Sequence, residues 1–237
     1  MKTVKSAIFF LSFFSLLISS ANCQIVVPAS EGLLDKMRLN KSINGIRDVP
    51  YSSITGDPYL YGDFHSGKFI LTTGETINLD LRYDIYADQI QIKDKNNTLF
   101  ELVHLERLSL IVIDTIKFVY SEIQKSRNDK APGKAAFFIL KSDGKCRLLA
   151  KKNIRIQNAE LPKAYQGAKS AKFIHTDDTY YLKLEDKNAV RAGTGKDLLK
   201  ILSDNRDEVA RFIDSNRLGT KKEDDLVKII SFYNSLF

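Results

Sequence analysis

The strongest constraint on the fold is a two-residue alternation of apolar and polar side chains in the middle of the chain. In residues 76–82, Ile77, Leu79 and Leu81 fall on one face of an extended strand, and the residues between them are polar. Residues 89–93 alternate in the same way. This alternation predicts antiparallel strands with one face on the core and the other face in water.

Further segments rich in β-branched and aromatic residues are typical of strands. They lie between turn residues, and Asp143-Gly144 is the strongest hairpin signal because glycine accepts a positive φ. The segments cover residues 98–103, 108–113, 116–120, 137–140, 145–149, 172–174 and 180–184. About ten short strands at this spacing predict an antiparallel β domain over residues 57–192, either a meander, a sandwich or a rolled barrel. The spacing leaves these architectures open.

The pattern becomes helical near residue 195. A capping-box sequence at residues 220–223 precedes apolar residues at helical spacing, namely Leu226, Ile229, Ile230 and Tyr233. Together with similar stripes upstream, this predicts three short amphipathic helices in residues 193–237. A helical unit of about 45 residues is small to stand alone, so we expect it to dock on the β domain. The predicted fold class is α+β, mainly β, with residues 24–56 as an N-terminal lead-in.

The first 23 residues have the composition of a secretion signal. Lys2 and Lys5 precede an apolar run at residues 7–18, and small residues follow it. The run is shorter than the ~20 residues of a membrane span, which predicts cleavage before Gln24 and no transmembrane segment afterwards. Cleavage two residues earlier and lipid attachment at Cys23 remain alternatives. The mature protein is predicted to be exported to the periplasm, the outer-membrane surface or the extracellular space.

Positive charge is concentrated in one part of the chain. The formal net charge is +7, but residues 125–172 alone contain 13 Lys and Arg against 3 Asp and Glu, a local net charge of +10. The rest of the mature chain is therefore net acidic. Because an exported protein leaves the cytoplasm, we expect no nucleic acid as its partner. We expect an anionic glycan, a lipid head group or an acidic protein instead.

The basic residues after Asp143-Gly144 define the candidate binding site. On an extended strand Lys145, Arg147, Lys151 and Arg155 share one face, and apolar residues share the other. This row predicts a platform for an acidic ligand. Lys152 breaks the alternation, which indicates a bulge or a strand break. The alternative interpretation is a solvated outer face, because lysine and arginine also protect exposed strands from unwanted pairing.

Motifs that mark an enzyme are missing from the sequence. The chain contains no His-x-x-x-His pair for a metal and no Gly-x-Ser-x-Gly nucleophile elbow. The stretch at residues 193–196 resembles part of a phosphate loop, but Asp197 stands where a serine or threonine would bind magnesium. We predict no cofactor, no metal and no catalytic residue, and Cys146 as a buried apolar side chain. Asp57 and Asp63 are the candidates if the protein hydrolyses glycans.

Four segments carry a family resemblance. They are Gly56-Asp57-Pro58-Tyr59-Leu60, Leu81-Arg82-Tyr83-Asp84-Ile85-Tyr86-Ala87-Asp88-Gln89, Lys163-Ala164-Tyr165-Gln166 and Tyr233-Asn234-Ser235-Leu236. With these segments the chain resembles an uncharacterised family of exported proteins from Bacteroidota. The resemblance implies a Gram-negative envelope location and a β-rich body with a helical tail. The family brings no assigned activity, so no catalytic residue is carried over.

The sequence favours a non-enzymatic β-rich binding or scaffold protein of the bacterial envelope. One alternative is a glycan or peptidoglycan hydrolase, and another is a carrier that holds a lipid inside the β domain. A filled interior would distinguish a scaffold from a carrier. Two carboxyl groups facing each other in a pocket would favour the hydrolase.

Overall fold

The computed structural model describes residues 38–41, 51–102, 105–125, 134–162 and 167–237. The predicted signal at residues 1–23, Cys23 and its cleavage sites, most of the lead-in at residues 24–56, and the tetrapeptide at residues 163–166 lie outside these ranges.

Eleven strands form one sheet in the described part of the chain. In chain order, β1 to β11 are Arg38–Lys41, His65–Leu71, Thr76–Asp84, Gln89–Lys93, Leu99–Leu102, Leu108–Ile113, Ile116–Glu122, Ala135–Ser142, Cys146–Gln157, Lys172–Leu184 and Val190–Arg191. Three helices follow, α1 (Gly195–Ile201), α2 (Arg206–Asn216) and α3 (Glu223–Asn234). The predicted fold class, an antiparallel β body with three short C-terminal helices, is confirmed.

The sheet consists of two meanders that meet at its centre. The strand order is β1-β5-β4-β3-β2-β6-β7-β8-β9-β10-β11, and neighbouring strands pair antiparallel. One meander runs outwards from β2 to β5, and the other runs outwards from β6 to β11. The sheet does not close, because β1 and β11 are its two edges. Of the architectures that the sequence left open, the structure has a single open sheet.

The sheet curls strongly, so that strands far apart in its order contact each other. Lys151 on β9 donates a hydrogen bond to the Tyr83 hydroxyl on β3 at 2.9 Å, although four strands separate β3 from β9. The concave side is filled by side chains of β2 to β9, and Phe69, Leu81 and Phe118 are each 0% exposed. Burying this much apolar surface provides the main stabilisation of the curled sheet.

The helices cover the β9–β10 end of the sheet. Cys146, Leu148 and Leu182 share an apolar core with α1, α2 and α3. The Asn234 side chain at the end of α3 accepts a hydrogen bond from the Cys146 backbone N–H at 2.8 Å and donates one to the Cys146 carbonyl at 2.9 Å. Burial raises the pKa of the Cys146 thiol to about 12, so this cysteine is a protonated core side chain.

The structure corrects one predicted helix start and describes another. The N-cap of α3 is Lys222, not Thr220, so the capping box predicted at residues 220–223 is wrong. A reciprocal box forms at α1 instead, where the Asp197 carboxylate accepts hydrogen bonds from the Thr194 backbone N–H at 2.9 Å and its hydroxyl at 2.8 Å. These bonds hold the pKa of Asp197 below its usual range. The glycine-rich stretch before α1 is therefore a helix start.

Candidate functional site

Lys145 and Arg147, two of the four basic residues predicted to form a binding row, each make a partly exposed ion pair with a carboxylate. Lys145 lies just before β9, where its Nζ is 3.0 Å from Asp204 Oδ2 and 3.2 Å from the ring centre of Phe237. Arg147 Nε is 2.7 Å from Asp143 Oδ1 in the preceding turn. Both pairs are partly exposed, and such pairs contribute little stability, about 0–1 kcal/mol each.

The other two residues of the row have opposite environments. Lys151 is mostly buried, and its Nζ lies 2.5 Å from Asp88 Oδ1. Arg155 is exposed on β9 beside Ile174 of β10 and makes no ion pair with any residue that the structure describes. The row is therefore not a continuous strip of solvent-exposed cations, since three of its four members already hold a carboxylate.

The charge segregation of the sequence is matched by pairing in space. Four lysines of the basic segment bind carboxylates from outside it, in the pairs Lys141–Glu223, Lys145–Asp204, Lys151–Asp88 and Lys152–Asp178. Much of the local positive charge is therefore used in ion pairs that connect the middle strands to the elements around them. A local excess of charge is a weak signal for a ligand when the rest of the chain has the opposite sign.

Three lysines nevertheless converge on one cavity of about 430 Å³, which we call the basic cavity. Lys117 on β7, Lys141 on β8 and Lys152 on β9 come from three consecutive strands of the sheet. Its lining residues are Leu60, Tyr61, Thr115, Ile116, Lys117, Ile139, Leu140, Lys141 and Lys152. The charged side chains of this lining are all cationic, which favours an anionic ligand.

The three lysines differ in how they are held. Lys141 Nζ lies 2.8 Å from Glu223 on α3, and Lys152 Nζ lies 2.8 Å from Asp178 on β10. Lys117 is exposed, and it makes no ion pair with the described residues. The cavity therefore combines two oriented ammonium groups with a third that is still available.

Strict alternation along β9 does not predict this cavity. Lys152 breaks the two-residue pattern, and the pairing of β9 with β10 shifts register at that point: Asn153 pairs with Thr176, whereas Lys151 pairs with Thr179. The irregularity expected at Lys152 is confirmed. A bulge redirects side chains locally, so the residue that broke the pattern is the one that reaches the cavity.

A second cavity of about 960 Å³ has a different character, and we call it the acidic cleft. It is lined by Ala87, Asp88, Gln89, Leu102, Leu105, Glu106, Leu108, Tyr120, Ser121, Glu122, Ala135, Phe137, Lys183 and Asn188. Tyr120 is 41% exposed, and its ring centre lies 5.0 Å from that of the buried Phe137. Burial raises the pKa of Tyr120, and the charges of Asp88 and Glu122 raise it further.

Asp88 is the most firmly held carboxylate of the acidic cleft. Its Oδ1 accepts hydrogen bonds from the Tyr83 hydroxyl at 2.8 Å, from Lys151 Nζ and from the Phe137 backbone N–H at 3.4 Å. Burial and the Asp88 charge raise the pKa of Tyr83 strongly, so its hydroxyl remains a donor. Asp88 has φ of +54°, a left-handed conformation that aspartate tolerates better than most residues.

The hydrolase candidates Asp57 and Asp63 line neither cavity. Asp57 Oδ1 accepts a hydrogen bond from the Tyr59 backbone N–H at 2.8 Å, the geometry of an aspartate that stabilises its own turn. His65 pairs with Asp114 at 2.7 Å on the surface. Across the described ranges, no group of three or more His, Cys, Asp or Glu side chains is arranged to hold a metal ion.

Comparisons with known proteins give no relative. The chain matches no protein-family model, no curated protein and no solved structure. The resemblance to exported Bacteroidota proteins therefore stays a prediction. Separately, none of the described helices has the length and apolar character needed to cross a membrane.

Proposed function

We propose that this protein is an exported, non-enzymatic binding protein of the bacterial envelope, and that it holds the anionic group of an acidic ligand in the basic cavity. The observation that carries the proposal is the convergence of Lys117, Lys141 and Lys152 on one cavity. Its volume of about 430 Å³ lies within the usual range for small-molecule sites.

Electrostatics and orientation both support an anionic ligand. Lys117 brings an ammonium group without an ion-pair partner among the described residues, so binding there displaces no internal carboxylate. Lys141 and Lys152 are oriented by Glu223 and Asp178, which reduces the side-chain entropy lost on binding. The Thr115 hydroxyl adds a donor at the same cavity.

The three lysines of the lining favour a phosphate or sulfate ester as the anionic group. Several ammonium donors bind such a group with charge-assisted hydrogen bonds. An acidic lipid head group and a sulfated glycan share this chemistry. Binding is favoured over lipid carriage, because the concave side of the sheet is filled by its own side chains. It is favoured over glycan hydrolysis because Asp57 and Asp63 line neither cavity.

The direct test is calorimetric titration of the chain from Gln24 onwards with three probes. These are inorganic phosphate, a heparin tetrasaccharide and vesicles that contain phosphatidylglycerol, so that the two ligand sources are distinguished. We expect Lys117→Met to weaken binding about tenfold, the equivalent of about 1.4 kcal/mol. The matched control is Lys200→Met, which removes an exposed lysine of α1 that does not line the cavity. Equal losses in both variants, or no binding of any probe, would contradict the proposal.

The location has its own test. Fractionation of the native host cell, followed by N-terminal sequencing, is expected to give a chain that begins at Gln24 in the envelope or the medium. Unprocessed chain in the cytosol would overturn the export part of the proposal.

A further inference from the structure

We propose that the acidic cleft is a second binding site and that its ligand is a neutral sugar. The cleft and the basic cavity share no lining residue, so the two sites are separate. This inference does not depend on the basic cavity binding an anion.

The exposed ring of Tyr120 supplies the apolar platform that a sugar needs. Tyr120 is 41% exposed, whereas most large apolar and aromatic side chains of the described residues are covered. Its ring rests against the buried Phe137 at 5.0 Å between ring centres, which limits its motion. A pyranose ring presents a face of C–H groups, and this face packs on an exposed aromatic ring and removes both surfaces from water.

The polar lining offers acceptors and donors side by side. Asp88 and Glu122 are carboxylate acceptors, and Asn188 and Lys183 are donors at the same cleft. Asn188 Nδ2 already lies 3.2 Å from Glu122 Oε2, so a donor and an acceptor lie next to each other. A sugar hydroxyl donates one hydrogen bond and accepts others, so alternating partners of this kind match it.

Mixed charge at the cleft disfavours both kinds of ion. The carboxylates of Glu106 and Glu122 repel an anionic ligand. Lys151 neutralises Asp88 at 2.5 Å, and the Lys183 ammonium offsets one of the two remaining carboxylates, which leaves little net charge to attract a cationic amine. A polar ligand without net charge avoids the repulsion and needs no such attraction. A sugar therefore fits the lining better than an amine, an acid or a purely apolar molecule.

The acceptor at Asp88 is pre-organised. The three donors from Tyr83, Lys151 and Phe137 all bind Oδ1, and Oδ2 receives no hydrogen bond from any residue in the described ranges. The carboxylate thus presents one oxygen in a fixed orientation, so a ligand hydroxyl can bind it without first immobilising the side chain.

The test uses probes that differ mainly in charge. ¹⁵N-labelled protein is titrated with neutral N,N′-diacetylchitobiose, with its deacetylated, cationic form, and with neutral cellobiose. We expect at least one neutral disaccharide to shift the amide signals of Tyr120 and Asn188, and the cationic form to bind more weakly than its neutral counterpart. Tighter binding of the cationic form, or no shift with either neutral sugar, would overturn the inference.

Two variants and a control locate the site. We expect Tyr120→Ala to weaken sugar binding about tenfold, because the stacking platform is lost. Asn188→Ala removes one donor from an exposed position and should weaken binding less, which keeps the test decisive if Tyr120→Ala unfolds the protein. Tyr61→Ala is the matched control, since it removes a tyrosine of similar exposure, 37%, from the basic cavity. A loss of sugar binding in Tyr61→Ala equal to that in Tyr120→Ala would contradict the inference.

Discussion

The basic cavity and the acidic cleft lie on the same curled sheet but are built in different ways. In the basic cavity, three consecutive strands each contribute one lysine, and the balancing carboxylates come from β10 and α3. In the acidic cleft, the best-held carboxylate is Asp88 in the β3–β4 turn, and a mostly buried lysine fixes it from across the sheet. The basic cavity thus results from lysines on neighbouring strands, whereas the acidic cleft depends on how the sheet curls.

This difference has an energetic consequence. The ion pairs at the basic cavity are partly hydrated, so they orient the lysines but change the free energy of unfolding only slightly. The Lys151–Asp88–Tyr83 cluster links β9 to β3 and to the turn after it, and it joins three groups, of which Tyr83 is buried and Lys151 is 16% exposed. Removing Lys151 leaves both the buried Tyr83 hydroxyl and the Asp88 carboxylate without their shared cationic partner. We therefore expect substitutions at the basic cavity to change binding, and substitutions beneath the acidic cleft to change stability.

The largest effect is expected for Lys151→Met. The side chain of Lys151 is 16% exposed, and its loss leaves Asp88 and Tyr83 without their shared cationic partner. We expect the free energy of unfolding to fall by about 2 kcal/mol. Chemical denaturation followed by circular dichroism measures it. A double variant that also carries Asp88→Asn should recover part of the loss, and no recovery would show that the ion pair is not the cause.

A smaller effect is expected at the basic cavity. Lys152→Met breaks the partly exposed pair with Asp178 and should cost about 1 kcal/mol of unfolding free energy. Lys117→Met removes an exposed lysine and should change stability by less than about 0.5 kcal/mol while it weakens anion binding. The same denaturation assay tests both variants. If Lys117→Met destabilises the fold as much as Lys151→Met, the contrast between the two sites is wrong.

The dependence of binding on ionic strength distinguishes the two sites without any substitution. Phosphate binding at the basic cavity should weaken as ionic strength rises from 0.01 to 0.15 M, because the Debye length falls from about 30 Å to about 8 Å. Sugar binding at the acidic cleft should change little over the same range, since the ligand has no net charge. Calorimetric titrations at the two salt concentrations measure both. A steep salt dependence of sugar binding would mean that charge, rather than stacking, drives it.

The smallest effect concerns Lys183 at alkaline pH. Burial lowers the pKa of the Lys183 ammonium below its usual value of 10.5, and the nearby Arg147 charge lowers it further. The contribution of this group is therefore present above 10.5 and is lost as pH falls through the lower pKa of the folded state. Between these two values the wild type should gain stability with rising pH relative to Lys183→Met. Paired denaturation curves measure the difference, and a difference independent of pH would contradict it.

Much of the fold followed from local patterns, but the sites did not. Alternation at residues 76–82 and 89–93 identified β3 and β4, and the apolar stripe from Leu226 to Tyr233 identified α3, because these elements bury one face each. The curl of the sheet could not be predicted, since it depends on contacts between residues as far apart as Tyr83 and Lys151.

The two-residue alternation of a strand predicts which side chains share a face, but not what those side chains bind. It places Lys145, Arg147, Lys151 and Arg155 on one face, but it does not show which carboxylates approach them from turns and helices. The alternation also excludes Lys152 from the row, although the bulge at this residue lets its side chain reach the basic cavity. Ion-pair partners and bulges are decided by tertiary packing, so a single sequence does not reveal them.

The two cavities are proposed to be separate sites, one for an anionic group and the other for a neutral sugar. The most direct measurement is one ¹⁵N NMR sample titrated first with inorganic phosphate and then with N,N′-diacetylchitobiose. We expect phosphate to shift the amide signals of Lys117, Lys141 and Lys152, and the sugar then to shift those of Asp88 and Tyr120. Phosphate shifts spread over exposed cations such as Lys200 and Arg155, or both ligands acting on one cavity, would contradict the assignment of two sites.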